Sequence, residues 1–123
     1  MPRTPEQLVR DFCGAFSRLD VEEIMGYFAD DSVYHNMPGP PTKGAEAIRA
    51  SIGGFLGNWQ KTQWDILNIA SCGGTVFTER VDRIDTSGKH IDLPVAGVFE
   101  VEGEKIRAWR DYFDLQTYLR AMQ

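Results

Sequence analysis

Hydrophobic residues recur at helical spacing in the first part of the chain and predict three helices there. The first begins at Thr4, which caps it ahead of Pro5, and Gln7 reaches back to the cap. Asp20 caps the second, and the third runs over about 44–56. The apolar stripe of the first helix contains Leu8, Phe12, Ala15, Phe16 and Leu19. One face of these helices is therefore predicted to pack inward.

From residue 60 onward the hydrophobic pattern changes to a period of two, which is typical of strands with one buried face. Short glycine-containing turns separate the predicted strands, so they form an antiparallel meander. The segment Asp30-Asp31-Ser32 is predicted to break the pattern after the second helix. A shorter strand is predicted over 33–37, ended by the proline-rich segment 38–41, and Asp114 caps a final short helix. The meander strands are placed near 60–71, 75–85, 89–101 and 105–113.

Helices followed by a long meander define an α+β fold class. The 123 residues are predicted to form one domain, 1–123. We expect a strongly curved, mixed or antiparallel sheet that forms a cone and is covered by the N-terminal helices. Such a sheet encloses a cavity that can hold a ligand.

Polar side chains stand two residues apart on three of the predicted strands. Residues two apart in a strand point to the same face. Buried polar and charged groups are costly unless they are partnered, so three such pairs on one sheet predict convergence on one point. The pairs are Tyr34 with Asn36, Arg80 with Asp82, and Trp109 with Asp111.

The chemistry of these side chains favours an acid–base site. A guanidinium can donate hydrogen bonds to two carboxylates at once, and such coupled carboxylates share protons unequally, giving one acid and one base. A tyrosine hydroxyl and an asparagine amide can hold a water molecule. The pattern leaves an alternative open: Arg80 and Asp82 could belong to a surface ion-pair ladder, and Asp111 could pair with Arg107 or Arg110.

Composition excludes several other classes of function. The net charge is -5 and the basic residues are scattered, so no nucleic-acid or basic membrane surface is predicted. No secretory or membrane-spanning segment is recognisable, and a cytoplasmic location is expected. Cys13 and Cys72 are predicted to be buried and free, and neither His35 nor His90 has neighbours at zinc-ligand spacing.

Three segments, taken together and in order, resemble the limonene-1,2-epoxide hydrolases of the cone-shaped NTF2-like (SnoaL-like) superfamily. They are Tyr34–Pro38, Glu79–Asp82 and Trp109–Asp114, and the likeness covers nearly the whole chain. The resemblance implies hydrolysis of a small hydrophobic epoxide, of the limonene-1,2-epoxide kind, to a vicinal diol. It implies water as the second substrate and no metal or cofactor. It also implies a homodimer formed through the outer sheet face.

The same resemblance implies a role for each polar residue. Asp111 would be the general base, and Tyr34 and Asn36 would hold the water that it deprotonates. Asp82 would be the general acid, and Arg80 would bridge the two aspartates.

Substrate shape would be set by residues that point inward. Trp109 would support the site from the same strand as Asp111. Phe16 on the first helix is a weaker candidate for contact with the substrate. Strand alternation nominates further apolar residues, each of which could equally be sheet core: Ile84, Leu93, Val95 and Phe113.

Two other classes of function fit the same fold, because fold alone does not determine function. A ketosteroid-isomerase-like or polyketide-cyclase-like enzyme would move protons next to a carbonyl and would not need an arginine between two acids. A non-catalytic ligand-binding module would show no turnover and would tolerate Asp82→Asn.

Overall fold

A six-stranded sheet forms the body of the protein, which a computed structural model describes over residues 2–123. The strand order is β2-β1-β6-β5-β4-β3. The last four strands form the predicted antiparallel meander, and β1 runs parallel to β6. The strands are β1 (Phe28–Asn36), β2 (Thr42–Lys43), β3 (Trp59–Cys72), β4 (Thr75–Thr86), β5 (Lys89–Glu102) and β6 (Lys105–Tyr112).

Four helices accompany the sheet: α1 (Pro5–Ala15), α2 (Val21–Met25), α3 (Ala45–Asn58) and α4 (Leu115–Ala121). The predicted caps are present. Thr4 and Gln7 form a capping box on α1, while Asp20 and Asp114 accept backbone N–H hydrogen bonds at the starts of α2 and α4. The α+β prediction is therefore confirmed.

The main core lies between the helices and the inner face of the sheet. Phe12 on α1 is fully buried and packs edge-on against Trp109 of β6, with ring centroids 5.0 Å apart. A second, smaller cluster lies nearer α4 and contains Ile84, Ile91, Leu93 and Val95. Residues of both groups line one cavity, which places it between the two clusters.

The first strand differs from the prediction. It begins at Phe28 and includes Asp30 and Asp31, where the local pattern predicted a break. Ser32 accounts for this: its hydroxyl donates to the Ile106 carbonyl and accepts from the Ala29 N–H, joining this irregular part of the strand to β6. The short strand β2 was not predicted at all.

Cys13 is buried and free, as predicted, but Cys72 is exposed, and that part of the prediction was wrong. Cys72 is the last residue of β3 and is followed by the Gly73-Gly74 turn, and residues 71–74 are all exposed. Among residues 2–123, no helix has the length and apolar character needed to cross a membrane.

Candidate active site

Strand β4 places a charged pair on the inner face of the sheet. Its side chains alternate between buried and partly or fully exposed positions, and Arg80 and Asp82 lie on the buried face with Thr78 and Ile84. Arg80 is only 1% exposed and Asp82 only 5% exposed. Burial on this scale requires that the charges be partnered within the protein.

Arg80 satisfies all five of its N–H donors. Nε and Nη2 donate to the two oxygens of Asp82 at 3.0 and 2.9 Å. Nη1 and Nη2 donate to the two oxygens of Asp111 at 3.2 and 2.9 Å, and Nη1 also donates to Thr78 Oγ1 at 3.2 Å. The guanidinium therefore forks between two buried carboxyl groups on different strands.

The alternative of ordinary surface ion pairs is excluded. Arg107 pairs with Asp31 and Glu102, and Arg110 pairs with Glu100. Neither arginine is used by Asp111, which pairs with Arg80 instead.

The other polar side chains surround Asp111. Trp109 Nε1 donates to Asp111 Oδ1 at 2.7 Å, which fixes the carboxyl group from its own strand. Tyr34 stacks on the Trp109 indole with centroids 4.1 Å apart. Asn36 is the direct neighbour of Asp111 in the parallel β1–β6 pairing. The three predicted polar pairs thus meet at one place.

Burial and charge set the protonation of the site. Burial raises the pKa of Asp82 to about 6, and the charge of Asp111 adds to this, against the opposing effect of Arg80. Burial alone would lower the pKa of Arg80, but the charges of Asp111 and Asp82 outweigh it and raise that pKa. Burial, with the charge of Asp111, also raises the pKa of Tyr34. One arginine compensates one carboxylate, so a proton on Asp82 makes the cluster neutral.

A cavity of about 300 Å³ opens beside these residues. Tyr34, Asn36, Asp82 and Asp111 line it at its polar end. The rest of the lining is largely apolar and includes the four residues nominated by strand alternation: Ile84, Leu93, Val95 and Phe113. The cavity is therefore apolar except at the end formed by these four residues.

Two nominated residues do not line this cavity. Trp109 is fully buried behind it, where its indole packs against Tyr34 and Phe12 of α1 and donates a hydrogen bond to Asp111. Phe16 lies behind Trp64, with ring centroids 3.8 Å apart. Sequence reasoning also missed much of the wall, contributed by Pro38, Gly39, Phe55, Trp59, Trp64, Leu115 and Tyr118.

Gly97 is a further residue that the sequence reasoning missed. It lies on β5 between Thr78 of β4 and Asp111 of β6. A Cβ atom there would come within 2.3 Å of Arg80 Nη1 and 2.7 Å of Asp111 Oδ1. The glycine leaves the space through which Arg80 reaches Asp111. A glycine inside a strand is the signal that could have identified it.

A curved sheet backed by helices, enclosing a cavity bordered by a buried aspartate–arginine–aspartate cluster, defines a cone-shaped NTF2-like protein. More narrowly, the chain belongs to the limonene-1,2-epoxide hydrolase catalytic domain family, which it matches over residues 3–123.

Individual relatives agree with this family. The chain is 29% identical to epoxide hydrolase EphG of Mycobacterium tuberculosis over 114 residues, covering 93% of this chain and 76% of the relative. It superimposes on the structure of an LEH-like epoxide hydrolase of M. tuberculosis with a TM-score of 0.84 and 28% identity, covering 96% of this chain and 91% of that one. The protein is thus a homologue of epoxide hydrolases.

More distant structures show the fold alone. A protein with a ketosteroid isomerase-like fold from Catenulispora acidiphila has a TM-score of 0.84 at 23% identity, covering 97% of this chain and 93% of that one. A candidate polyketide cyclase from Xanthomonas campestris has a TM-score of 0.86 at 21% identity, covering 97% of this chain and 96% of that one.

Proposed function

We propose that this protein hydrolyses small hydrophobic epoxides to vicinal diols by direct attack of water, without a covalent intermediate. The observation that carries the proposal is the position of Arg80, hydrogen-bonded to both Asp82 and Asp111 at the wall of one apolar cavity. An acid and a base facing the same cavity suit a reaction that needs both at once.

In the proposed reaction Asp111 is the general base. It removes a proton from a water molecule held by Tyr34 and Asn36, and the water oxygen forms a bond to one ring carbon. The bond between that carbon and the epoxide oxygen breaks, and Asp82 gives its proton to the oxygen. One proton is taken up and one is given, so the reaction is balanced, and exchange with solvent restores the starting protonation.

Hydrogen bonds and burial support the assignment of Asp111 as the base and Asp82 as the acid. Asp111 accepts three hydrogen bonds, two from Arg80 and one from Trp109, which hold its carboxyl group at the cavity wall. The raised pKa of Asp82, about 6, favours a protonated carboxyl group that can donate to the epoxide oxygen. Attack by water with inversion at the ring carbon then gives a trans-like diol.

We infer a substrate of the limonene-1,2-epoxide kind from the shape and lining of the cavity. Its volume of about 300 Å³ is at the small end for ligand pockets. The wall away from the carboxyl groups is dominated by aliphatic and aromatic side chains. A compact apolar epoxide fits these properties, whereas a long or charged substrate does not.

A panel of small epoxides tests the proposal directly. Cyclic terpene and cycloalkene oxides should give diols, and Asp82→Asn or Asp111→Asn should each reduce kcat about 10²–10⁴-fold because each removes a proton-transfer group. Circular dichroism should show that both variants remain folded, since asparagine keeps the size of the side chain. Near-normal turnover by a folded variant would contradict the acid–base assignment.

We also propose that the protein is a homodimer joined through the outer face of its sheet. That face carries apolar side chains that the chain itself leaves open: Phe77 is 48% exposed, Tyr112 is 45% exposed and Leu67 is 56% exposed. Phe77 lies beside Val98 across the β4–β5 pairing, and Tyr112 lies beside Ala96 across the β5–β6 pairing. A second copy would remove this surface from water.

A further inference from the structure

Trp64 lies on β3, directly across the β3–β4 pairing from Asp82. The guanidinium carbon of Arg80 lies over the Trp64 ring, 4.8 Å from its centroid, in a cation–π contact. The same indole forms part of the cavity wall. One side chain thus contacts the bridging arginine, neighbours the acid on the next strand and borders the space for substrate.

The face of the guanidinium is the part of Arg80 that hydrogen bonds leave unrestrained. All five N–H donors lie in the guanidinium plane and are used by Asp82, Asp111 and Thr78. Two aromatic rings also approach this guanidinium. Trp64 supplies the nearer contact, and Phe99 lies farther away at 5.9 Å.

Trp64 is itself held in place from two directions. Phe16, which begins the 3-10 turn Phe16–Arg18 after α1, stacks on it, with centroids 3.8 Å apart and planes 13° apart. Its Nε1 donates to Thr62 Oγ1 at 3.1 Å, and Thr62 Oγ1 donates to the Arg83 carbonyl at 2.8 Å. The indole is thereby fixed in both tilt and rotation, as a support for another group requires.

We infer that Trp64 is a positioning residue for Arg80: its ring fixes the plane of the guanidinium and keeps water from that face of the aspartate–arginine–aspartate cluster. The kinetic consequence of this inference rests on the proposed function, but the effect on Arg80 does not. Exclusion of water is also what the raised pKa of Asp82 requires, since burial is its largest cause.

Replacement of the ring by a flexible side chain tests the inference, and Trp64→Met is the primary variant. Methionine fills apolar space but offers no ring face to the guanidinium. Trp64→Phe is the conservative variant, because it keeps an aromatic ring but removes the Nε1–H group that donates to Thr62. Trp59→Met is the matched control: Trp59 lines the same cavity but stacks on Phe55.

The first readout is the NMR signal of the Arg80 Nε–H group, which requires no substrate. In the native protein this proton is predicted to be shifted by the Trp64 ring and protected from exchange with water. Trp64→Met should move the signal and speed its exchange by about tenfold or more. Trp64→Phe should have a smaller effect, and Trp59→Met should leave the signal in place.

The second readout is the pH profile of hydrolysis. Trp64→Met should lower kcat by about tenfold, because Arg80 is held less firmly. It should also move the descending limb of activity to lower pH by about half a unit, because water beside Asp82 lowers the pKa of that carboxyl group. The charged groups acting on Asp82 are Arg80, Asp111 and Asp65 of β3, and no variant alters them. Trp59→Met should mainly raise KM and leave the limb unmoved.

An unchanged Arg80 signal in folded Trp64→Met would overturn the inference, as would kinetics that match those of Trp59→Met. If Trp64→Met does not fold, Trp64→Phe decides the question: an unshifted Arg80 signal together with an unmoved limb rejects the positioning role. If no epoxide is hydrolysed but the Arg80 signal responds as predicted, the proposed function fails while the support of Arg80 by Trp64 stands.

Discussion

Arg80 carries one positive charge and is shared by two buried carboxyl groups. One arginine cannot compensate two carboxylates in a site that water scarcely reaches, so one carboxyl group is favoured in its neutral form. Burial raises the pKa of Asp82 to about 6, and we propose Asp82 as that group. The proposed division into acid and base therefore arises from burial and from the placement of a single guanidinium.

In the proposed reaction, the pH dependence of activity depends on the proton of Asp82. A general acid must be protonated, and the protonated fraction of Asp82 falls as pH rises through its pKa of about 6. We therefore expect kcat/KM to decline above about pH 6, by about tenfold for each further pH unit. Stopped-flow or discontinuous diol assays from pH 5 to pH 8 measure this profile.

The variant Asp82→Asn provides the control for the pH profile. Its residual activity should lack the descending limb, because asparagine carries no proton to lose in this range. A limb that survives in Asp82→Asn, or native activity that stays level from pH 6 to pH 8, would show that another group supplies the proton.

Which residues meet in the site could be predicted in part from sequence. Alternation along strands correctly placed Arg80 with Asp82 on one face, because two-residue periodicity is a local property. Alternation could not show that Trp109 stays behind the cavity wall while Trp64 forms part of it. Depth along an inner face depends on how the sheet curves and what packs on it, and neither is encoded in one strand.

Strand β5 is the element that lets the cluster form. It lies between the strands that carry Arg80 and Asp111, and Gly97 is the point at which the arginine passes over it. A glycine inside a strand signals a close approach, but which side chains pass over Gly97 depends on the register of three neighbouring strands, which the local pattern does not specify. Alternation therefore predicts which face of the sheet a side chain occupies, but not which atoms of the neighbouring strands it approaches.

Gly97→Ala should disrupt the site through crowding alone. A Cβ at 2.3 Å from Arg80 Nη1 must displace the guanidinium, and the neighbouring atoms of Asp111 and Thr78 leave little room for adjustment. We expect a loss of stability of about 1–3 kcal/mol, as for other overpacked buried positions, with kcat reduced at least tenfold. Chemical denaturation and steady-state kinetics measure the two effects.

Gly54→Ala is the matched control for this substitution. Gly54 is exposed on α3, and an added Cβ there meets nothing within 4 Å. Alanine at a helical glycine should be neutral or stabilising by about 0.5–1 kcal/mol. If Gly97→Ala behaved like Gly54→Ala in both stability and kcat, the space at Gly97 would have no part in holding the cluster.

The beginning of β1 also shows that local sequence pattern does not predict the effect of pairing with a distant strand. Asp30 and Asp31 are poor strand residues, and a local reading predicts a break there. The chain stays extended because Ser32 bonds to Ile106 on β6 and because β1 pairs in parallel with that strand. Pairing between distant segments overrides local preference, so the pattern predicted only the later part of this strand.

At the scale of the whole molecule, the outer sheet face should join two copies. Phe77→Glu would place a charge within the proposed interface, where it would have no partner, and should convert a dimer to a monomer. Analytical ultracentrifugation measures this. Ala50→Glu, on an exposed position of α3, should leave the dimer intact. A monomeric native protein, or a Phe77→Glu protein that remains dimeric, would contradict this interface.

The central claim is that water attacks the epoxide directly and that no aspartate forms an ester with it. The most direct test is a single turnover in ¹⁸O-labelled water with enzyme in excess over an epoxide that the panel identifies as a substrate. The account predicts one ¹⁸O atom in the diol formed on that first turnover. An unlabelled diol, with ¹⁸O found instead in a carboxyl group of the protein, would contradict it.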